Sequence, residues 1–598
     1  MRLRWGFLTV LLLAVLAAPA GAAERYRNPL PVTIPGSGDR VETFADPHVI
    51  RAQDGTYYAY GTTDPLNDRD RGAAGALRVH RIPTLRSTDL VNWTYVGDAF
   101  SEAPGWLEPG SPQWAPDVRY LGGRYVMFYT ATNTTPAVSG EPSCDGDSAI
   151  GAATAPTPTG PWTDTGHPVV APRRGGPGCN FLWTFDPAVV TEPDGSAHLY
   201  YGSYYGGVQV RDLDVGALTT DPESMTQVVI PNRYEGTFVV RRGGWYHLMG
   251  SATDCCRGPL TGYSVFAGRS RTPEGPFVDR LGVPLTTSRV GGTPVISMNG
   301  NRWVGPGHNS VITDEAGQDW FAYHAIDQGD PYLDPPNPLN INRRPMLLDR
   351  LDWVDGWPSV RAGRWASDEP QPAPVTGQGG RPRPPLPPVR NDRPGRRLRG
   401  PSDEFDGRRL ERGWRWVRTP AATLVRRDAL RFPVQDADIA EAPGTKPLAS
   451  LLVRDLPRGD LLVETKFSFD LPPDIQANFE QAGLALYKND DAFVKLAHVS
   501  IFETRQTEWA KEVPTLVTPP GRRYGNTVIG PPGATTWLRI VRRGDRYTGY
   551  SSIDGRRWVR GGTWTHDLAN ARLALFAMGG PGGHMAEFDY VRVSRPAR

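Results

Sequence analysis

Two aspartates, a glutamate and a histidine recur at one offset in this chain. Asp46, Asp186, Glu235 and His308 each stand nine residues before a turn glycine (Gly55, Gly195, Gly244 and Gly317), with an apolar run between. A fifth segment puts Trp114 at that offset from Gly123, or Ala115 there if Pro116 is aligned with Pro47. A lone Asp-Pro is an ordinary turn opener. Carboxyl groups repeated at one position are different, because like charges gathered together are costly unless a reaction or a cation needs them. The chemistry open to them is acid–base cleavage of a glycosidic bond. One carboxyl donates a proton to the leaving oxygen and an ionised partner activates water, about 6.5–9.5 Å away in the inverting case. Glu235, set between aromatics in RYEGTF, suits the acid, since an apolar setting raises a carboxyl pKa. Asp186 is available to raise it further, and Asp46 is left as the ionised base.

The elements that position these residues are strands. Each of the five segments reads as a short motif, an apolar strand, a turn glycine and an aromatic strand, as in ADPHVIRAQDGTYYAYGTT and FDPAVVTEPDGSAHLYYGSY. Successive units lie roughly 50 to 75 residues apart, room for a four-stranded blade and its loops. Five such units predict a five-bladed β-propeller over about 27–366, with the repeated position converging on the axis. Residues 367–400, dominated by Pro, Arg and Gly, read as an extended, semi-rigid linker. Beyond it, about 401–596, alternating strands with Asp-Gly turns predict a β-sandwich of jelly-roll type. The fold class is all-β.

Arg2 and Arg4, the apolar run Leu8–Leu16 and small residues to Ala23 read as a signal peptide over 1–23, which predicts a secreted protein without a membrane span. The 66 basic residues nearly balance the 64 acidic ones, which gives no reason to expect nucleic acid as a partner. Export permits disulfides among Cys144, Cys179, Cys255 and Cys256. The simplest pairing is Cys144 with Cys179; the adjacent Cys255 and Cys256 form a vicinal bridge or stay reduced, and all three connectivities are open.

The pattern resembles glycoside hydrolase family 43. The resemblance rests on Ala45-Asp46-Pro47, Ser87 to Trp93, Trp114 to Val118, Phe185-Asp186-Pro187 and Tyr234-Glu235-Gly236, and spans the N-terminal domain. It implies Asp46 as general base, Glu235 as general acid, Asp186 as the residue that tunes the acid and orients substrate, and inversion at the anomeric carbon. Within the family the chain is most similar to endo-1,5-α-L-arabinanases, through CCRG at Cys255–Gly258, AGRSRTPEGPFVD from Ala267 and GPGHNSVITD around His308. That implies an arabinan endo-hydrolase or arabinofuranosidase, with a calcium ion in the channel held by His308 and largely by waters. The chain departs from those enzymes at Ser203-Tyr204-Tyr205, at Leu182–Phe185 and in the loop Thr134–Asp147. Trp114 and Tyr204 are the candidate sugar-stacking residues. The C-terminal domain resembles the concanavalin-like sandwich appended to many family members; its Asp403, Glu404 and Asp589 are candidate structural calcium ligands.

A β-xylosidase or galactan-active member is the alternative enzyme. A fructan-type propeller is disfavoured, since those proteins carry R-D-P where this chain has Phe185-Asp186-Pro187. A non-catalytic carbohydrate-binding propeller need not keep all three carboxylates.

Overall fold

A computed structural model describes residues 25–333, 341–377, 380–420, 424–426, 428–439, 446–473, 478–514 and 523–597. The signal-peptide expectation for 1–23 lies outside them.

Five sheets follow one another along the chain, antiparallel throughout except where Val32–Thr33 joins the edge of the first in parallel. Their innermost strands are His48–Arg51, Gln113–Leu121, Ala188–Thr191, Glu235–Arg242 and Trp303–Thr313. Each pairs with the strand that follows it. The period-two geometry of a strand sends neighbouring side chains to opposite faces. In blade one, Tyr57 and Ala59 pack toward blade five, while Tyr58 and Tyr60 pack toward blade two. In blade three, Leu199 and Tyr201 pack toward blade two and Tyr200 toward blade four. Five hydrophobic clusters thus fill the five gaps between blades. With both faces buried, the second strands read as apolar runs rather than as alternation. The N-terminal segment seals the ring: Arg25–Tyr26 pairs with Gln371–Pro372, and the Asn28 amide donates to Leu348 O at 3.1 Å in blade five.

The stretch read as a linker is laid down on the propeller. Arg350 donates to Pro384 O, Arg364 to Pro387 O, and Val389 N–H to Ala362 O. The strand Pro394–Asp403 already pairs with Met585–Pro596, so the sandwich begins inside the segment expected to connect to it. Proline and arginine composition signals an extended chain, but says nothing about what the chain lies against.

The second domain is a sandwich of an eight-stranded and a seven-stranded sheet, with Val463, Ile540 and Val591 of one packed on Leu484, Val494 and Leu496 of the other. It is docked on the propeller. Met298 reaches into the sandwich core, Val528 joins the cluster between blades three and four, and Asn299 bridges Thr563. At the tightest contact a Cβ on Gly262 would lie 1.7 Å from Asn526 O. Gly262→Ala is therefore expected to force the domains apart at a cost of about 1–3 kcal/mol or more. Scanning calorimetry should show a lower transition that splits into two; a wild-type thermogram would show that this contact does not hold the domains together.

Candidate active site

One backbone device builds the site. Asp46, Ala115, Asp186, Gly236 and His308 adopt left-handed φ values of 53°, 46°, 56°, 58° and 47°. For a residue with a Cβ this costs on the order of 1–3 kcal/mol and persists only where the surroundings impose it. Asp46 and Asp186 stand two residues before the inner strands of their blades, Ala115 and Gly236 lie near the start of theirs, and His308 lies mid-strand, where Trp303–Thr313 shifts register. The set also corrects the register. Blades one, three and five turn through five residues between first and second strands, whereas blades two and four turn through Gly122-Gly123 and Gly243-Gly244 alone. Counting nine back from the glycine overshoots by one in the shorter pair. The counterpart of Asp46 is Ala115 in blade two, not Trp114, and Gly236 in blade four, with Glu235 one residue ahead of it.

Adjacent blades are clasped at these positions. The N–H of Ala115 donates to Thr62 Oγ1 at 2.9 Å, that of Asp186 to Thr130 Oγ1 at 2.8 Å, that of His308 to Ser251 Oγ at 2.9 Å and that of Asp46 to His324 Nδ1 at 3.2 Å. In every case the acceptor comes from the preceding blade, at or just past its second strand. Blade four differs: Gly236 N–H donates to the Asp186 carboxylate at 2.8 Å. Ser203, at the end of blade three's second strand, instead donates to Glu235 Oε2 at 3.0 Å, and Tyr263 donates to Oε1 at 2.9 Å. Glycine relieves crowding here, because a Cβ at 236 would sit 3.1 Å from the His308 ring.

The three carboxyl groups are driven to different states. Burial raises Glu235 to about 7, against the lowering effect of the Tyr263 and Ser203 hydrogen bonds. Burial, and then the charge of Glu235, pushes Asp186 well above the ordinary carboxyl range. The two compete for one proton, so they titrate as a pair. Burial would raise Asp46 too, but His308, His324 and Arg344 together hold it well below the usual range. Burial also lowers His308, and takes His324 to about 4. At neutral pH the standing cation beside Asp46 is therefore Arg344, 3.8 Å from Oδ1, while the imidazoles lie at 3.2 and 3.3 Å. Thr62 adds a 2.6 Å hydrogen bond to Oδ2. An ionised Asp46 beside a protonated Asp186–Glu235 pair is a base and an acid held apart by environment.

Arg344→Met should raise the Asp46 pKa. If Asp46 is the general base, the acidic limb of kcat/KM should then move to higher pH while the basic limb stays in place. An unmoved acidic limb would show that Arg344 does not set the base.

The carboxyl groups open into a cavity of about 630 Å³ that Trp114, Tyr263, His308 and Arg344 also line. A cavity of about 760 Å³ lies where the linker crosses blades four and five, and contains none of the three carboxylates. Trp114 meets Phe185 edge-on at 5.9 Å, and Trp183, 38% exposed, stacks on Phe185. Tyr204 stands behind this wall, its hydroxyl donating to Thr253 O at 2.7 Å, and does not line the cavity. Sequence reasoning missed Arg344, Tyr263 and Ser203. Ser203 was within reach, at the end of the second strand where Thr130 and Ser251 also carry hydroxyls. Arg344 lies just before the third strand of blade five, Met346–Val354, and has no repeat partner.

Among the described residues, the only carboxylate oxygen within ion-pair distance of His308 is that of Asp46. Among the described residues the one group of three side chains able to share a metal is His198, Asp212 and Glu274, none of which lines the cavity. Protein atoms alone do not form a calcium cage at the axis, so any ion there would take His308 and otherwise water. In the sandwich, Asp403 accepts from Phe405 N–H and Trp414 Nε1, Glu404 pairs with Arg592, and Asp589 pairs with Lys466. These three are committed to separate partners and do not converge as calcium ligands.

Both disulfides are formed, Cys144–Cys179 and Cys255–Cys256.

A family model described as "Glycosyl hydrolases family 43" matches residues 41–358, and one described as "Beta xylosidase C-terminal Concanavalin A-like domain" matches residues 402–594. The chain is 27% identical over 327 residues to an extracellular endo-α-(1→5)-L-arabinanase of Bacillus subtilis, covering 53% of this chain and 88% of that enzyme. It is 28% identical over 301 residues to an extracellular exo-α-(1→5)-L-arabinofuranosidase of Cellvibrio japonicus, covering 47% and 80%. A solved endo-arabinanase of Bacillus licheniformis aligns at 25% identity over 53% of this chain and 97% of that one, with a TM-score of 0.42.

Proposed function

Because the chain belongs to glycosyl hydrolase family 43 and is a glycosidase, we propose that it hydrolyses the arabinofuranosidic bonds of an arabinose-containing polysaccharide, as an endo-hydrolase or an arabinofuranosidase, with inversion. The observation that supports this most is the divided electrostatics of the site. Asp46 is held ionised by His308, His324 and Arg344, with Thr62 donating to it at 2.6 Å, and Glu235 is held protonated toward neutrality by burial. In the inverting scheme Asp46 takes a proton from water as its oxygen attacks the anomeric carbon. Glu235 gives its proton to the leaving oxygen, and Asp186 keeps that proton bound while its other contact fixes Gly236. The arabinose assignment follows the activities named for the relatives above. Export is proposed on the same footing; no helix among the described residues is long and apolar enough to cross a membrane.

A second reading, β-xylosidase, has one observation in its favour: the description attached to the C-terminal domain. Hydrolysis of debranched arabinan, linear xylan and nitrophenyl furanosides separates the two. Arabinan turnover supports the first, a preference for xylan the second, and no turnover of any glycan overturns both. Product anomers followed by NMR test inversion.

A channel calcium belongs to the same proposal. Chelator-free protein should contain about one equivalent by mass spectrometry, and His308→Ala should lose it. Full activity in EDTA, with no calcium detected, would remove the ion from the account.

A further inference from the structure

A disulfide between neighbouring residues stands in the wall of the catalytic cavity. Cys255 and Cys256, both half-buried, line the same space as Asp46, Asp186 and Glu235. The bond does little for stability by the usual route. A disulfide stabilises by closing a loop of the unfolded chain, and adjacent residues enclose none. Nor does the segment need it to keep its shape. Cys256 N–H donates to Asp254 Oδ1 at 2.9 Å, and Asn342 bridges Cys256 O at 3.2 Å and Gly258 N–H at 2.7 Å. Arg257 is tied to Asp254 at 2.6 Å and to Tyr524 O of the sandwich at 3.3 Å.

What the bond changes is the face turned to the cavity. Two thiols are weak hydrogen-bond donors and oxidisable; one disulfide has no S–H and presents a fixed, polarisable, apolar surface. That surface is set among carboxylates, guanidinium groups and hydroxyls, where apolar surface is otherwise supplied by Val79, Pro112, Trp114 and Phe185. It shares that cavity with the candidate proton donor, Glu235. A sugar ring offers the matching chemistry, with hydroxyls around its edge and C–H groups on its face. We infer that the Cys255–Cys256 disulfide is a substrate-binding platform that takes the C–H face of a sugar ring beside Glu235. The inference rests on the glycosidase reading of the same cavity.

The test is a comparison of KM and kcat on a linear arabino-oligosaccharide. Replacing the platform by two hydroxyls, Cys255→Ser with Cys256→Ser, should raise KM about five- to tenfold and leave kcat within about twofold. The pair Cys255→Ala with Cys256→Ala, apolar but recessed, should fall between that variant and wild type. A KM equal to wild type in the serine pair overturns the platform. If the serine pair does not fold, Cys144→Ala with Cys179→Ala leaves the vicinal bond as the only disulfide. Phosphine reduction of that protein to two thiols should raise KM, and reoxidation should restore it; an unmoved KM again overturns the platform. Turnover that is lost in Glu235→Gln but indifferent to the cysteines overturns the platform alone. Absence of turnover by the wild type overturns the glycosidase reading and the platform with it.

Discussion

Glu235→Gln is expected to lower kcat on a debranched arabinan by roughly 10²–10⁴-fold, the usual contribution of a positioned proton donor. Glutamine keeps the length and planarity of the side chain, so KM should change little. What is lost is the proton. Wild-type activity should fall as pH rises through the Glu235 pKa of about 7, and that basic limb should vanish in the variant. The deficit should shrink on nitrophenyl glycosides, whose leaving group departs without full protonation. Steady-state rates on the two substrates check this. An equal loss on both would count against Glu235 as the donor.

Asp46→Asn should lose a similar amount, roughly 10²–10⁴-fold in kcat, but with a different signature. Activation of water is required whatever the leaving group, so polysaccharide and nitrophenyl glycoside should suffer alike. The acidic limb of the wild-type profile, which reports the ionisation of a carboxylate held low by its neighbours, should disappear. An amide preserves an acceptor for Thr62, so circular dichroism should be unchanged. The double variant should be scarcely worse than the poorer single one, because residues that act as a unit are not additive. A variant retaining most of its activity would move the base elsewhere.

Much of this was legible in the sequence because a propeller repeats. Five copies of one strand–turn–strand pattern predict the blades, and polar residues at one offset predict what lies on the axis. The failures have physical causes. Glu235 was counted one residue away from Gly236, and Trp114 and Ala115 stood as alternatives, because the Gly-Gly turns of blades two and four are shorter than the other three; the strand ends decide for Ala115 and Gly236. Arg344 was unreadable because the arginine pair in INRRP has no repeat to mark it. It matters through a buried contact with a residue almost 300 positions away, and local pattern carries no such information. The segment 367–400 reads as an extended, semi-rigid linker; that it lies along the propeller and ends inside the sandwich was not legible, since composition reports stiffness and not adhesion. Tyr204 looked like a sugar platform by residue type, yet its hydroxyl is turned into the wall.

The clasps between blades have a consequence beyond the geometry of one active site. Five joints arranged in a closed circuit must add up to one full turn, so no joint can widen unless others narrow. The separation of the acids is then a property of the number of blades. The loops hang outside that circuit, including the one braced by Cys144–Cys179. They can lengthen, shorten or change character without altering the distance between base and acid. Chemistry and choice of sugar are thereby carried by different parts of the chain, free to change at different rates. The part that resists change is the part a sequence repeat reveals, and the part it leaves unread is the part in which relatives of this protein can diverge.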